Sequence, residues 1–263
     1  VTPAPRNIVW VASYPKSGNT WVRFLVCNLL FGRQESAAAL NVLAPDLHES
    51  GALLEQSGHA GLVKTHFPYS RALPLAERTA AALYVVREPA DVLASSFHYA
   101  QRSGAAADES RRGFDRYVDD FVSHRGDPRF LQLGMGSWVD NVRSWLRVPH
   151  PFPVLTIKYE DLHADPVAVC RGLAQLLRPQ SSAQEIDAAV ANASFARMRE
   201  VEEADIRERR VGIFYKPYLQ SAIDSGRRFM RRGGVGDGDQ LLTPEQRARV
   251  RAACEPLVTE LGY

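Results

Sequence analysis

The sequence has 263 residues, 45% of them hydrophobic and 24% charged, with 32 Lys and Arg against 30 Asp and Glu. These values fit one large globular domain and exclude a disordered, collagen-like or coiled-coil chain. A net charge of +2 is far below that of a generic nucleic-acid binder, and the three dispersed cysteines, Cys27, Cys170 and Cys254, match no zinc or redox spacing, as expected in a reducing compartment.

Residues 1–7 are polar with two prolines and lack a basic-then-apolar leader pattern. Residues 8–12 are a short apolar run rich in β-favouring types, expected as a buried strand. Over 20–31, Trp21, Phe24, Leu25 and Leu29 recur at helical spacing and Gly32 ends the run. Arg23 interrupts this stretch, which is too short to span a bilayer. Residues 34–58 read as weakly helical or irregular. Further strands are expected at 61–64, 82–86 and 154–157, where the apolar runs are continuous, as in a parallel sheet covered on both faces. Helical patterns fill 89–102, 114–124, 137–146, 166–177 and 183–191. A final helix, 244–261, has Pro244 in its first turn and Gly262 past its end. The alternation predicts an α/β fold: a single domain over 1–263, with a central parallel β-sheet flanked by helices and right-handed crossovers. A soluble, cytoplasmic protein is expected, with no membrane or nucleic-acid partner.

Residues 205–238 differ from the rest. They are Arg- and Gly-rich and weakly periodic, and 207–232 holds eight Lys and Arg against two acidic residues. Such a run is usually a solvated face, but it could also fold over an anion as a flexible lid.

The most informative segment is Tyr14, Pro15, Lys16, Ser17, Gly18, Asn19, Thr20 and Trp21, between the first strand and the first helix. There the helix dipole and backbone N–H groups meet whatever lies beyond the strand. Gly18 permits close approach, Lys16 adds a cation, and Ser17, Asn19 and Thr20 add donors, which together suit a phosphate-like group. The Walker A pattern is absent, because Pro15 and Trp10 stand where it needs glycine. Lys64 and His66 end the second strand; Arg87 ends the third and Ser95 lies on the helix that follows. In a parallel sheet these ends share one edge, the usual ligand crevice. Three cations and one imidazole without a metal-ligand carboxylate pattern describe a metal-free site for a polyanionic donor, with one group able to accept a proton.

These residues resemble the cytosolic-type sulfotransferases, which use 3′-phosphoadenosine 5′-phosphosulfate (PAPS) and release 3′-phosphoadenosine 5′-phosphate (PAP). That family's Tyr-Pro-Lys-Ser-Gly-Thr-Thr-Trp loop is matched from Tyr14 to Trp21, with Asn19 in place of one Thr. Its Lys-Thr-His is matched by Lys64, Thr65 and His66, and its Arg followed eight positions later by Ser by Arg87 and Ser95. Gly136, Ser137 and Trp138, then Tyr159, Glu160 and Asp161, then Ser194, Phe195 and Met198, match later elements in family order. Phe229, Met230, Arg231, Arg232, Gly233, Gly236 and Asp237 resemble its lid, although Gly238 stands where the family has Trp. The family's dimerisation pattern is not recognisable around Leu242, Thr243 and Pro244, which leaves the oligomeric state open. Residues 136–145 and 155–167 look closest to bacterial sulfotransferases that decorate natural products.

The resemblance implies a metal-free enzyme moving a sulfuryl group to a hydroxyl of a small-molecule acceptor. His66 would be the general base, Lys16 would face the bridging oxygen, and Lys64 the sulfuryl oxygens. Ser17, Gly18, Asn19 and Thr20 would hold the 5′-phosphate. Arg87, Ser95, Arg231, Arg232 and Gly233 would hold the 3′-phosphate, and Trp21, Tyr159, Ser194, Phe195, Phe229 and Met230 would surround the nucleotide. Phe67, Tyr99 and the segment 34–58 are candidates for the acceptor. The competing readings are a P-loop-like kinase, a catalytically silent PAP binder, and a polyanion binder acting through the Arg-rich segment. Trp10, Trp138 and Trp145 are expected in the core, the cysteines buried or inert, and His48, His59, His98, His124, His150 and His163 in structural roles.

Overall fold

Four strands, β1 (Ile8–Ser13), β2 (Gly61–Thr65), β3 (Thr79–Val86) and β4 (Val154–Lys158), form one parallel sheet in the order β2-β1-β3-β4. The computed structural model describes residues 5–103 and 111–263. The apolar runs behave as expected for strands covered on both faces: one core cluster gathers Trp10, Ala12, Tyr84 and Val86, the other Val11, Leu83, Val85 and Ile157. Trp10, Trp138 and Trp145 are fully buried, and all three cysteines are buried and free.

The chain leaves β1 to one side for β2 and crosses to the other for β3, so the order reverses beside the end of β1. Ligand crevices open at such points. Ala12 lies level with Thr65, and Ser13 with Val85, which brings the three strand ends to one rim. From that rim rise α1 (Asn19–Phe31) and α4 (Pro89–Ser103).

The stretch 34–58 is better ordered than its sequence suggests. It forms α2 (Ala37–Leu43) and α3 (Leu47–Gln56), capped by Ser36 and Asp46, whose side chains accept from Ala39 N–H and His48 N–H. Arg23, the charge that interrupts α1's apolar run, is buried and donates to the carbonyls of Leu40 and Ala44 and to Asn41 Oδ1. It thus ties the C-terminal end of α2 to α1. The expected final helix is two, Pro244–Ala253 and Leu257–Glu260, because Pro256 cannot supply the N–H that would continue the first. Among the described residues, no helix is long and apolar enough to cross a membrane.

Candidate active site

A cavity of about 420 Å³ opens above the strand ends. Lys16, Gly18, Asn19, Thr20, Trp21, Lys64, His66, Arg87, Ser95 and Tyr99 line it, together with Tyr159, Phe195 and the stretch from Phe229 to Gly234. Residues from the first loop, two later strand ends and the Arg-rich segment therefore meet at one place. Three expected residues stand off this wall. Ser17 is buried beneath the loop. Ser194 instead caps the helix Phe195–Arg207 and borders a smaller cavity beside Trp21. Phe67 stands behind His48, stacked on its ring with centroids 3.8 Å apart.

The first loop turns through two left-handed residues, Lys16 at φ 68° and Gly18 at φ 102°. Gly18 is required twice over, because a Cβ there would lie 2.5 Å from the Tyr159 ring. Asn19 donates from Nδ2 to the Val11 carbonyl at 3.0 Å and to Ser13 Oγ at 3.3 Å, so it anchors the loop to β1. Lys16 reaches between two rings, with Nζ 4.2 Å from the centroid of Tyr99 and 4.6 Å from that of Phe229. Burial, reinforced by Arg102, Arg87, Arg129 and Lys64, pushes its ammonium down to about 7.

His66 Nδ1 lies 2.8 Å from the Ser13 carbonyl oxygen, which can only accept. The ring therefore carries its proton on Nδ1 and keeps the Nε2 lone pair. Burial, then Lys64, holds the imidazole well below its usual range, so it is neutral at physiological pH. Lys64 Nζ is ion-paired with Asp46 Oδ2 at 2.6 Å.

Arg87 is buried. Its Nη2 donates to Asp91 Oδ2 at 3.0 Å and to the Gly234 carbonyl at 2.9 Å, and its guanidinium lies 4.2 Å from the centroid of the Tyr159 ring. Tyr159 meets Trp21 edge-on at 5.7 Å.

The Arg-rich segment has more structure than its weak periodicity suggests. It begins on the helix Phe195–Arg207 and contains the helix Gln220–Asp224. Much of its charge is matched inside the molecule: Arg228 pairs with Glu203, Lys216 with Glu49, and Arg231 with Asp237. Buried Glu202 accepts N–H bonds from Phe229 at 2.6 Å and Met230 at 2.8 Å, and Asp91 accepts from Gly236 at 3.0 Å and Gly238 at 2.7 Å. Burial raises the Glu202 carboxyl above the usual range. The Gly238 substitution is explained by proximity: a Cβ there would fall 2.8 Å from the Ala90 backbone carbon, so only glycine lets the segment close against α4.

Several residues of the site escaped the sequence reading, among them the apolar Phe130 and Met135 and three polar residues. His48, expected to be structural, lines the cavity and accepts the His66 N–H at 3.0 Å through Nε2. Asp46 lines it too, held by Lys64. Arg102, near the end of α4, is buried on the same wall and donates to the Phe214 carbonyl at 2.7 Å. An Asp at a helix cap followed two residues later by His is the only local signal for Asp46 and His48.

The polar atoms left over fit an oxyanion-rich ligand. Arg87 Nε and Arg102 Nε, on residues of the cavity wall, are buried without a hydrogen-bond partner, a costly state that a phosphate can relieve. Among the described residues, no cluster of His, Cys, Asp and Glu could hold a metal.

A sulfotransferase-domain family model matches residues 6–262. The chain belongs to the sulfotransferase family. Its sulfotransferase relatives include the amine sulfotransferase of Oryctolagus cuniculus, 28% identical over 253 residues that cover 92% of this chain and 77% of that protein. The 3-beta-hydroxysteroid sulfotransferase of Cavia porcellus is 26% identical, with 89% and 77% covered. A mouse sulfotransferase complexed with PAP has the same fold, with a TM-score of 0.71 at 20% identity, covering 98% of this chain and 85% of that one. The protein is thus an enzyme of the sulfuryl-transfer class.

Proposed function

We propose that the protein moves the sulfuryl group of PAPS to a hydroxyl group of a small-molecule acceptor and releases PAP. One observation carries the reading: a neutral imidazole with a free Nε2 shares a cavity with Lys16, Lys64 and Arg87. PAPS supplies an activated sulfuryl group, whose transfer forms a sulfur–oxygen bond to the acceptor and breaks the one to the phosphate. His66 Nε2 takes the hydroxyl proton. Lys16 places its charge where the leaving oxygen becomes negative, and Lys64 faces the sulfuryl oxygens. Ser17, Gly18, Asn19 and Thr20 cradle the 5′-phosphate at the start of α1. Arg87 and Ser95 hold the 3′-phosphate, with Arg231, Arg232 and Gly233 closing over it. Trp21 and Phe195 flank the adenine beside Tyr159.

The acceptor enters past Tyr99, Phe130 and Met135, an apolar wall suited to a hydrophobic or aromatic body carrying the hydroxyl. A natural-product scaffold is the class favoured by the look of 136–145 and 155–167. A screen of hydroxylated compounds with labelled PAPS, read as a gain of one sulfuryl group in the product's mass, tests the function. Transfer to a phenol or alcohol is the expected result; magnesium-dependent turnover of ATP with none of PAPS would overturn it in favour of a kinase.

Lys16 makes nucleotide binding pH-dependent. Its ammonium is only half charged near pH 7 in the free protein, and a bound anion raises that value. Binding therefore takes up a proton above about pH 7, and affinity falls as pH rises, by up to about tenfold per unit. Calorimetric titration with PAP at pH 8 in two buffers of different ionisation enthalpy measures the uptake directly. Equal heats in the two buffers would contradict it.

Residues 205–238 act as a lid that PAP fastens through Arg231 and Arg232. Limited trypsin digestion is expected to cut this segment several-fold more slowly with PAP than without. Equal rates would mean that the segment does not respond to the nucleotide.

A further inference from the structure

Strand β2 lies at the edge of the sheet, so every second backbone N–H of its outer side needs a partner from elsewhere. The residues just before and inside α3 supply two of these partners. Lys64 N–H donates to the Pro45 carbonyl at 2.8 Å, and His66 N–H, two residues on, donates to His48 Nε2 at 3.0 Å. The start of α3 thus stands in for a missing neighbour strand along the two residues assigned above to catalysis. Accepting that N–H fixes the His48 lone pair on Nε2, and burial, then Lys64, pushes its imidazole down to about 4, so it stays neutral.

Asp46 is bound at both carboxylate oxygens. Oδ1 caps α3 by accepting His48 N–H at 3.0 Å, and Oδ2 holds Lys64 Nζ at 2.6 Å, with both side chains largely buried. We propose that Asp46 is the positioning residue for Lys64: one carboxylate, locked to the start of α3, sets where the ammonium sits in the cavity and keeps it protonated. The inference rests on the role given to Lys64 above.

The surroundings of Lys64 make that second task necessary. Lys16 on the first loop and Arg23 on α1 are cations facing it, and His66 just beyond the end of β2 and His48 on α3 are neutral. The acids facing it are Asp46 and Glu49, both on or at the start of α3, and Glu49 is shared with Lys216 at 2.8 Å. Burial and the neighbouring cations drive Lys64 below the usual ammonium range, and Asp46 opposes them by both its charge and its hydrogen bond. A Lys64 that loses its proton loses the charge that faces the sulfuryl oxygens.

Asp46→Asn removes the charge and retains a side chain that caps helices as well as Asp does. The test is an NMR titration of full-length protein labelled with 13C at the lysine ε-carbons, read at the Lys64 resonance, in the free protein and with PAP. In the Asn variant Lys64 is expected to lose its proton about 1–3 pH units lower than in the wild type, the size of effect an adjacent opposite charge has. Asp46→Glu, which restores the charge, is expected to recover most of that shift. Lys64 titrating at the same pH in Asp46→Asn and wild type would overturn the proposal, as would a Glu variant indistinguishable from the Asn variant. Failure of the wild type to bind PAP would overturn the functional reading instead, and the titration of the free protein would still decide this one.

Discussion

Replacing His66 by alanine is expected to lower turnover about 10²–10⁴-fold, the usual worth of a positioned general base, and to leave PAP affinity nearly unchanged. The split follows from geometry. The Ser13 carbonyl holds the Nδ1 proton, so the only basic atom of the ring is Nε2. The backbone of residue 66 is tied independently, its N–H to His48 and its carbonyl to Asn141 Nδ2 at 2.7 Å, so removing the ring leaves the cavity's frame in place. The pH dependence has a definite sign. Burial, then Lys64, holds the imidazole well below 6.5, so His66 stays an unprotonated base through the range in which an ordinary histidine gains its proton. Activity should therefore show no loss from this group between pH 7 and pH 6. Turnover with saturating PAPS, paired with calorimetric PAP affinity, checks both statements. Near wild-type turnover in His66→Ala would remove the base from the mechanism.

Arg87→Ala is expected to weaken PAP binding by about 2–5 kcal/mol, or roughly thirty-fold at the least, the cost of truncating one member of a buried charge pair. Arg87 joins three parts of the site: it binds Asp91 at the start of α4, the Gly234 carbonyl in the lid, and the face of Tyr159. Its Nε is buried without a hydrogen-bond partner, and in the proposed function it would donate to the 3′-phosphate. In the alanine variant Asp91 keeps the N–H bonds of Gly236 and Gly238 but loses its cation, so the site gains net negative charge where an anion must bind. Arg87→Lys restores the charge without the two-pronged geometry and should fall between. Affinity of the alanine variant within threefold of the wild type would show that the 3′-phosphate sits elsewhere.

The parts legible in the sequence are those whose physics is local. A parallel sheet covered on both faces makes continuous apolar runs, and all four strands appear at their expected places, each one to three residues longer than the runs suggest. The loop from Tyr14 to Trp21 is legible because a strand end, a cation, a glycine and a helix start must follow one another closely to hold an anion. What stayed hidden depends on contacts between distant residues. Asp46 and His48 matter because an edge strand eighteen residues away needs hydrogen-bond partners, and no local pattern announces that. Of the two short helices in 34–58, the first is held by Arg23 from α1 and the second is tied through its cap Asp46 to Lys64, rather than by periodicity of their own. The Arg-rich segment looked like an open charge run because its partners, Glu49, Glu202 and Glu203, lie elsewhere in the chain. Gly238 is required by Ala90, a residue far away in the chain that packs against it.

Cations from separate stretches of chain are expected to grip a nucleotide that bears a phosphate on its ribose 3′ position. Calorimetric titration of the wild type with PAP and with adenosine 5′-monophosphate, which differ only in that phosphate, measures this grip. PAP binding at least about thirty-fold more tightly, as loss of one buried charged contact requires, is the predicted result. Equal affinity for the two nucleotides would contradict it.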